Sequence, residues 1–151
     1  MNNYTRIEDL VAAVYRIRYG HHSPNLSAAF AAVRSDIFVA SNGARQEPSV
    51  LRLAVVFVTE TPRSQRSLTL VEARAVDEMN IGIVTVGVGT FIDRQLLSSI
   101  TSYPSDKTMF IVPSVHNVTS LVSPIKRIIC SGKILHAKCF CRFYYILSYF
   151  L

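Results

Sequence analysis

Chemistry needs reactive groups held at set spacings, and few stretches of this chain offer them. Cys130, His136, Cys139 and Cys141 bring four candidate zinc ligands into one short stretch. Their spacing fits no common structural zinc pattern, because Cys139-x-Cys141 sets two thiols closer than zinc knuckles do, and unpaired thiols are the simpler reading. His21-His22 offers imidazoles for metal binding or proton transfer, yet no carboxylate or cysteine lies nearby in sequence to orient them. No Gly-x-Ser-x-Gly elbow occurs, so the sequence does not indicate a Ser/His/Asp hydrolase. Gly87-Val88-Gly89 begins like a dinucleotide fingerprint, but Ile92 stands at its third glycine position and would obstruct close helix approach. These glycines suit a tight turn at a strand end. The sequence therefore predicts no catalytic residue and no nucleotide cofactor.

The elements that would position any site are easier to read. Leu53 to Val58 and Ile81 to Val88 are uninterrupted apolar runs rich in β-branched residues, and Met109 to Val112 is a shorter one stopped by Pro113. Strands without polar alternation are buried on both faces, as in a parallel sheet covered by helices. Between them, Leu68, Val71, Ala75 and Met79 recur at helical spacing, with Thr69 and Glu72 as a capping box and Arg74 and Glu78 as a four-residue pair. Leu96, Leu97 and Ile100 predict a short helix opened by Asp93, and Val118 to Ile129 a longer one kinked by Pro124. Upstream, Ile7, Leu10, Val11, Val14 and Ile17 give one amphipathic helix, and Leu26 to Phe38 give another. The order helix, helix, strand, helix, strand, helix, strand, helix is an α/β doubly wound (Rossmann-like) pattern, mostly parallel, with helices on both faces. Ligand sites of such sheets lie beyond the carboxyl ends of the strands, here near Thr59 to Ser64 and Gly87 to Phe91.

Composition narrows the function classes. At 151 residues there is room for one domain, and with 50% apolar and 17% charged residues a buried core is expected. The net charge of +6 suggests nucleic acid until it is localised. Lys126, Arg127, Lys133, Lys138 and Arg142 stand in a stretch without acids, leaving 11 basic and 10 acidic residues before it. A nearly neutral body is not a phosphate-tracking face, so nucleic acid is not an expected partner. Residues 131–151 break from the rest as an aromatic and basic tail, too short to span a bilayer but suited to a membrane interface. The start of the chain lacks the apolar stretch of a signal peptide, which predicts no secretory route for the chain as written. Asn3, Asn25 and Asn117 stand in glycosylation sequons.

Several stretches together resemble the von Willebrand factor type A domain in the form found in collagen chains and other matrix proteins. They are Gly43-Ala44-Arg45, Leu53 to Gln65 with its Thr59-Glu60-Thr61 and Arg63-Ser64-Gln65, Ile81 to Gly89 ending in Val86-Gly87-Val88-Gly89, and Ile128-Ile129-Cys130. The resemblance covers residues 4–130 and implies an incomplete domain, because the family's opening strand with its Asp-x-Ser-x-Ser metal motif has no counterpart here. The family's metal site, MIDAS, would then survive only as a remnant. Its threonine falls on Pro24, leaving Ser23 as the nearest substitute, and its aspartate falls on Glu60. Hard cations need several oxygen ligands at short fixed distances, so neither Mg²⁺ nor Mn²⁺ is expected as a cofactor. The strand Leu53 to Val58 would keep one edge open to pairing.

The resemblance implies a non-catalytic module of an extracellular matrix or adhesion protein, binding other such proteins through the strand-end loops. Arg63, Arg66 and Phe91 are the candidate anchors, by position and residue type. The alternatives are an α/β nucleotide- or small-ligand-binding enzyme using the strand-end crevice, or a fragment without function of its own.

Overall fold

The computed structural model describes residues 6–17, 24–47, 50–61 and 63–131. Three parallel strands, β1 (Arg52–Val58), β2 (Ile81–Val88) and β3 (Met109–Val112), form one sheet in the order β1-β2-β3. The register sets Arg52 beside Ile81 and Val58 beside Gly87, and Thr85 beside Met109 through to Val88 beside Val112. Among the described residues six α-helices flank it: α1 (Ile7–Tyr15), α2 (Leu26–Ala32), α3 (Arg66–Glu78), α4 (Arg94–Ile100), α5 (Ser105–Thr108) and α6 (Val122–Ser131). All three predicted strands and the doubly wound arrangement are present.

β2 is central, and each of its eight residues is buried. Its side chains alternate between two cores, as the two-residue period of a strand requires. Ile81 and Ile83 point to a core built with Leu26, Phe30, Val33 and Phe38 of the upstream helical segment, Val76 of α3, and Leu96, Leu97 and Ile100 of α4. Val86 and Val88 meet Phe57, Val112 and Leu121 on the opposite face, where Val84 packs with Leu53 and Ile128 of α6. Burial on both faces is why β2 carries no polar alternation.

Four helix details depart from the sequence reading. In α3 the expected apolar face is not the buried one: Leu68 and Val71 are 54% and 62% exposed, while Thr69, Ala73 and Val76 face the core. The expected capping box is absent too, since α3 starts at Arg66 and the Thr69 hydroxyl donates to the Gln65 carbonyl within its first turn. Among the described residues the ion pairs of α3 run to other elements, Glu72 to Arg34 at 3.3 Å and Arg66 to Asp93, in place of the expected Arg74–Glu78 pair. Pro124 does not kink a long helix. A 3₁₀ segment, Val115–Leu121, runs into α6, and Pro124 occupies the first turn of α6, where a missing N–H costs nothing. Residues Val33–Ile37 continue α2 as a π-type turn closed by the Phe38 N–H on the Val33 carbonyl.

β3 is short and reaches β2 only from Thr85 onward, so the Ile83 backbone would lack partners on that side. Ser102 supplies them. The Ile83 N–H donates to Ser102 Oγ at 2.8 Å, and the Ser102 N–H donates to the Ile83 carbonyl at 2.9 Å. Thr108 closes this buried corner by donating to the Ser102 carbonyl. Asn80, with φ of 55°, makes the left-handed turn between α3 and β2.

Candidate functional site

The loops at the carboxyl ends of β1 and β2 are tied to each other by side chains 27 to 32 residues apart in sequence. The Asp93 N–H donates to Thr61 Oγ1 at 2.7 Å, and the Thr61 hydroxyl donates to the Phe91 carbonyl at 3.4 Å. Asp93 is also the cap of α4, its Oδ1 accepting from the Leu96 N–H at 2.9 Å. Its other oxygen pairs with the Arg66 guanidinium. The Leu96 N–H and then the Arg66 charge hold the Asp93 carboxyl below its ordinary range, against the opposing effect of burial.

Glycine makes this turn possible at two positions. A Cβ on Gly87 would meet Ile92 at 3.0 Å and Leu97 at 3.2 Å, so Ile92 packs directly against the β2 backbone. Gly89 has φ of 100°, in the region that favours glycine. Together they turn the chain sharply out of β2 and leave Phe91 81% exposed on a loop whose carbonyl is held by Thr61.

The predicted anchors fall together at this end but differ in freedom. Glu60 and Arg63 are exposed beside β1, and Phe91 projects from the adjoining loop. Arg66 is engaged by Asp93 and keeps 35% of its side chain exposed. The sequence marked Asp93 as a helix opener, but its pairing with Arg66 and the bridging role of Thr61 carried no local signal. Asn25 caps α2, accepting from the Ala28 N–H at 2.9 Å and the Ser27 hydroxyl at 2.8 Å, and Ser27 of its sequon is buried. Asn117 is exposed. Ser23, Asn3, His21, His22, His136, Cys139, Cys141 and nearly all of the predicted tail lie outside the described residues.

Among the described residues no three His, Cys, Asp or Glu side chains come together as metal ligands, and Pro24 offers no side-chain oxygen. Glu60 alone does not fit the ligand demand of a hard cation. No described helix is long and apolar enough to cross a membrane.

Comparison with solved structures shows the same fold elsewhere. Proximal thread matrix protein 1 from the mussel byssus matches with a TM-score of 0.68 and 13% identity, over 80% of this chain and 30% of that one. The form of that protein with a zinc-occupied MIDAS motif matches with a TM-score of 0.72 and 15% identity, over 85% and 32%. Manganese-loaded TRAP protein of Plasmodium vivax matches with a TM-score of 0.53 and 16% identity, over 78% and 46%. The chain thus spans about a third of the length of the mussel protein. No curated protein matches it in sequence.

These neighbours correct the expectation that Mg²⁺, Mn²⁺ and any other cofactor are foreign to the chain. One neighbour holds zinc in its MIDAS motif and another is loaded with manganese, so divalent cations belong to what this fold can carry. The family model for the von Willebrand factor type A domain matches residues 1–124. With that match, three parallel strands in the order β1-β2-β3 and strand-end loops in the expected place, this chain belongs to the von Willebrand factor type A family.

Proposed function

We propose that the chain is a non-catalytic protein-binding module of an extracellular matrix or adhesion protein, and that it binds through the loops at the carboxyl ends of β1 and β2. The observation that carries this reading is the placement of Phe91. A large aromatic ring is held out in solvent by a loop fixed through Thr61, Asp93 and Arg66. Exposed aromatics on rigid loops suit binding anchors, because little ordering entropy is lost when they are buried. Arg63 and Arg66 flank the same end and supply charge-assisted hydrogen bonds to a partner's carboxylates or carbonyls. Glu60 and Ser23 are the remnant positions of the family's metal site within this reading. Glycosylation at Asn3, Asn25 and Asn117 would accord with an extracellular setting.

The test uses decellularised extracellular matrix as the probe. The full chain is incubated with it, and retention is compared with that of Phe91→Ala and Arg63→Ala. Saturable retention that falls about tenfold or more in each variant, with unchanged melting temperature, supports the reading. Equal retention of the variants, or none of the parent chain, refutes it.

A further inference from the structure

Charge is divided between the two faces of the sheet. All ten acidic residues stand at or before Asp106, and residues 107–151 hold none. The face packed by α2 with its continuation, α3 and α4 carries Asp36, Glu72, Asp77 and Glu78. The opposite face is covered by the 3₁₀ segment Val115–Leu121 and by α6, both of which belong to the acid-free stretch. Asp106 stands on α5, which touches α6, and Lys107 beside it offsets that charge.

The outer side of α6 is cationic. Ile125, Ile128 and Ile129 pack towards the sheet, so the helical period sets Val122, Ser123, Lys126 and Arg127 outward, and all four are exposed. Among the described residues neither Lys126 nor Arg127 has a recorded ion pair. The same character continues in the sequence after Ser131, where α6 ends: Lys133, Lys138 and Arg142 alternate with Phe140, Phe143, Tyr144 and Tyr145. That stretch lies outside the described residues.

Composition chooses among anionic partners. Nucleic acids and sulfated polysaccharides reward closely spaced cations that track a run of charges, whereas the five cations here are spread over residues 126–142. A bilayer rewards cations set beside aromatics, because aromatic rings settle at the headgroup boundary while Lys and Arg meet anionic headgroups. We propose that the outer face of α6, together with the stretch that follows it, binds the surface of an anionic bilayer. Arg66 and Asp93 open α3 and α4 on the other face, so such attachment leaves the strand-end loops free for a protein partner and does not depend on them.

The test is flotation of the full chain with vesicles of phosphatidylcholine, alone or with about 30% phosphatidylserine. Lys126→Glu with Arg127→Glu reverses the proposed face. Arg74→Glu with Arg94→Glu makes the same change in net charge on the other face, where Arg74 lines the open groove between α3 and α4. All four residues are exposed, so melting temperatures should not move. The parent chain should float only with the anionic vesicles, and the α6 variant should bind them about tenfold or more weakly. Lys126→Gln with Arg127→Gln should lose less than the reversal, and the α3–α4 variant should bind as the parent does. The proposal is overturned if the parent chain ignores anionic vesicles or floats equally with phosphatidylcholine alone. It is equally overturned if the two charge-reversed variants lose binding alike, since net charge would then suffice. Tighter binding to heparin than to the vesicles, with the same dependence on Lys126 and Arg127, would assign the face to a sulfated polysaccharide and overturn it too.

Discussion

The two ends of β2 use the same device for opposite purposes. At the amino end Ser102 Oγ accepts from the Ile83 N–H, and Ser102 and Thr108 are 7% and 0% exposed. At the carboxyl end Thr61 Oγ1 accepts from the Asp93 N–H, but the neighbouring Glu60, Arg63 and Phe91 stand in solvent. A hydroxyl closing a backbone gap inside the protein protects the fold, because a buried N–H without a partner is costly. A hydroxyl bridging two surface loops stabilises little and chiefly sets where the loops point. The comparison implies that damage at one end should unfold the chain, while damage at the other should leave it folded and impair binding.

The largest effect should come from the buried end. Ser102→Ala removes the acceptor for the Ile83 N–H and should cost about 1–3 kcal/mol in urea unfolding. A loss under about 0.5 kcal/mol would show that the corner is not a structural closure. Next comes Asp93→Ala, which removes the cap of α4 and the partner of Arg66 and should cost about 1 kcal/mol. Because folding lowers the Asp93 pKa, its contribution is present above the ordinary aspartate range and is lost as pH falls through the folded value. The parent chain and Asp93→Asn should therefore converge in stability as acid is added, and a constant gap down to pH about 2 would contradict that assignment.

A smaller change of opposite sign should appear at Thr85. Its hydroxyl is fully buried in β2 without a recorded partner among the described residues. Thr85→Val keeps the shape and removes that group, so urea unfolding should show equal stability or a gain of up to about 1 kcal/mol. A clear loss would mean that the hydroxyl is satisfied. Phe91→Ala should change stability least, by less than about 0.5 kcal/mol, since the ring is 81% exposed. If it melted like a core variant, the ring would be packing rather than presenting.

The strands were legible because burial on both faces demands continuous apolar sequence, and Leu53 to Val58 and Ile81 to Val88 have no other plausible home. The helices were legible as helices but not always by face. In α3 two candidate stripes compete, and the one with larger side chains, Leu68 and Val71, lost to Thr69, Ala73 and Val76. Small residues let α3 sit close to the sheet and to α2, a tertiary demand that periodicity cannot show. In the site, Asp93 was readable as a cap because a cap is local. Thr61 was not, because its bonds to Phe91 and Asp93 join residues 30 and 32 positions away. The question of a bound cation was likewise not answerable from ligand residues alone, as the zinc- and manganese-holding neighbours show.

Amide exchange of the full chain, free and bound to decellularised matrix, tests the central claim most directly. The account predicts that binding slows exchange in residues 59–61, 63–66 and 89–94 and leaves the α3–α4 groove unchanged. Slowing confined to the groove or to α1, or none at the strand ends, would contradict it.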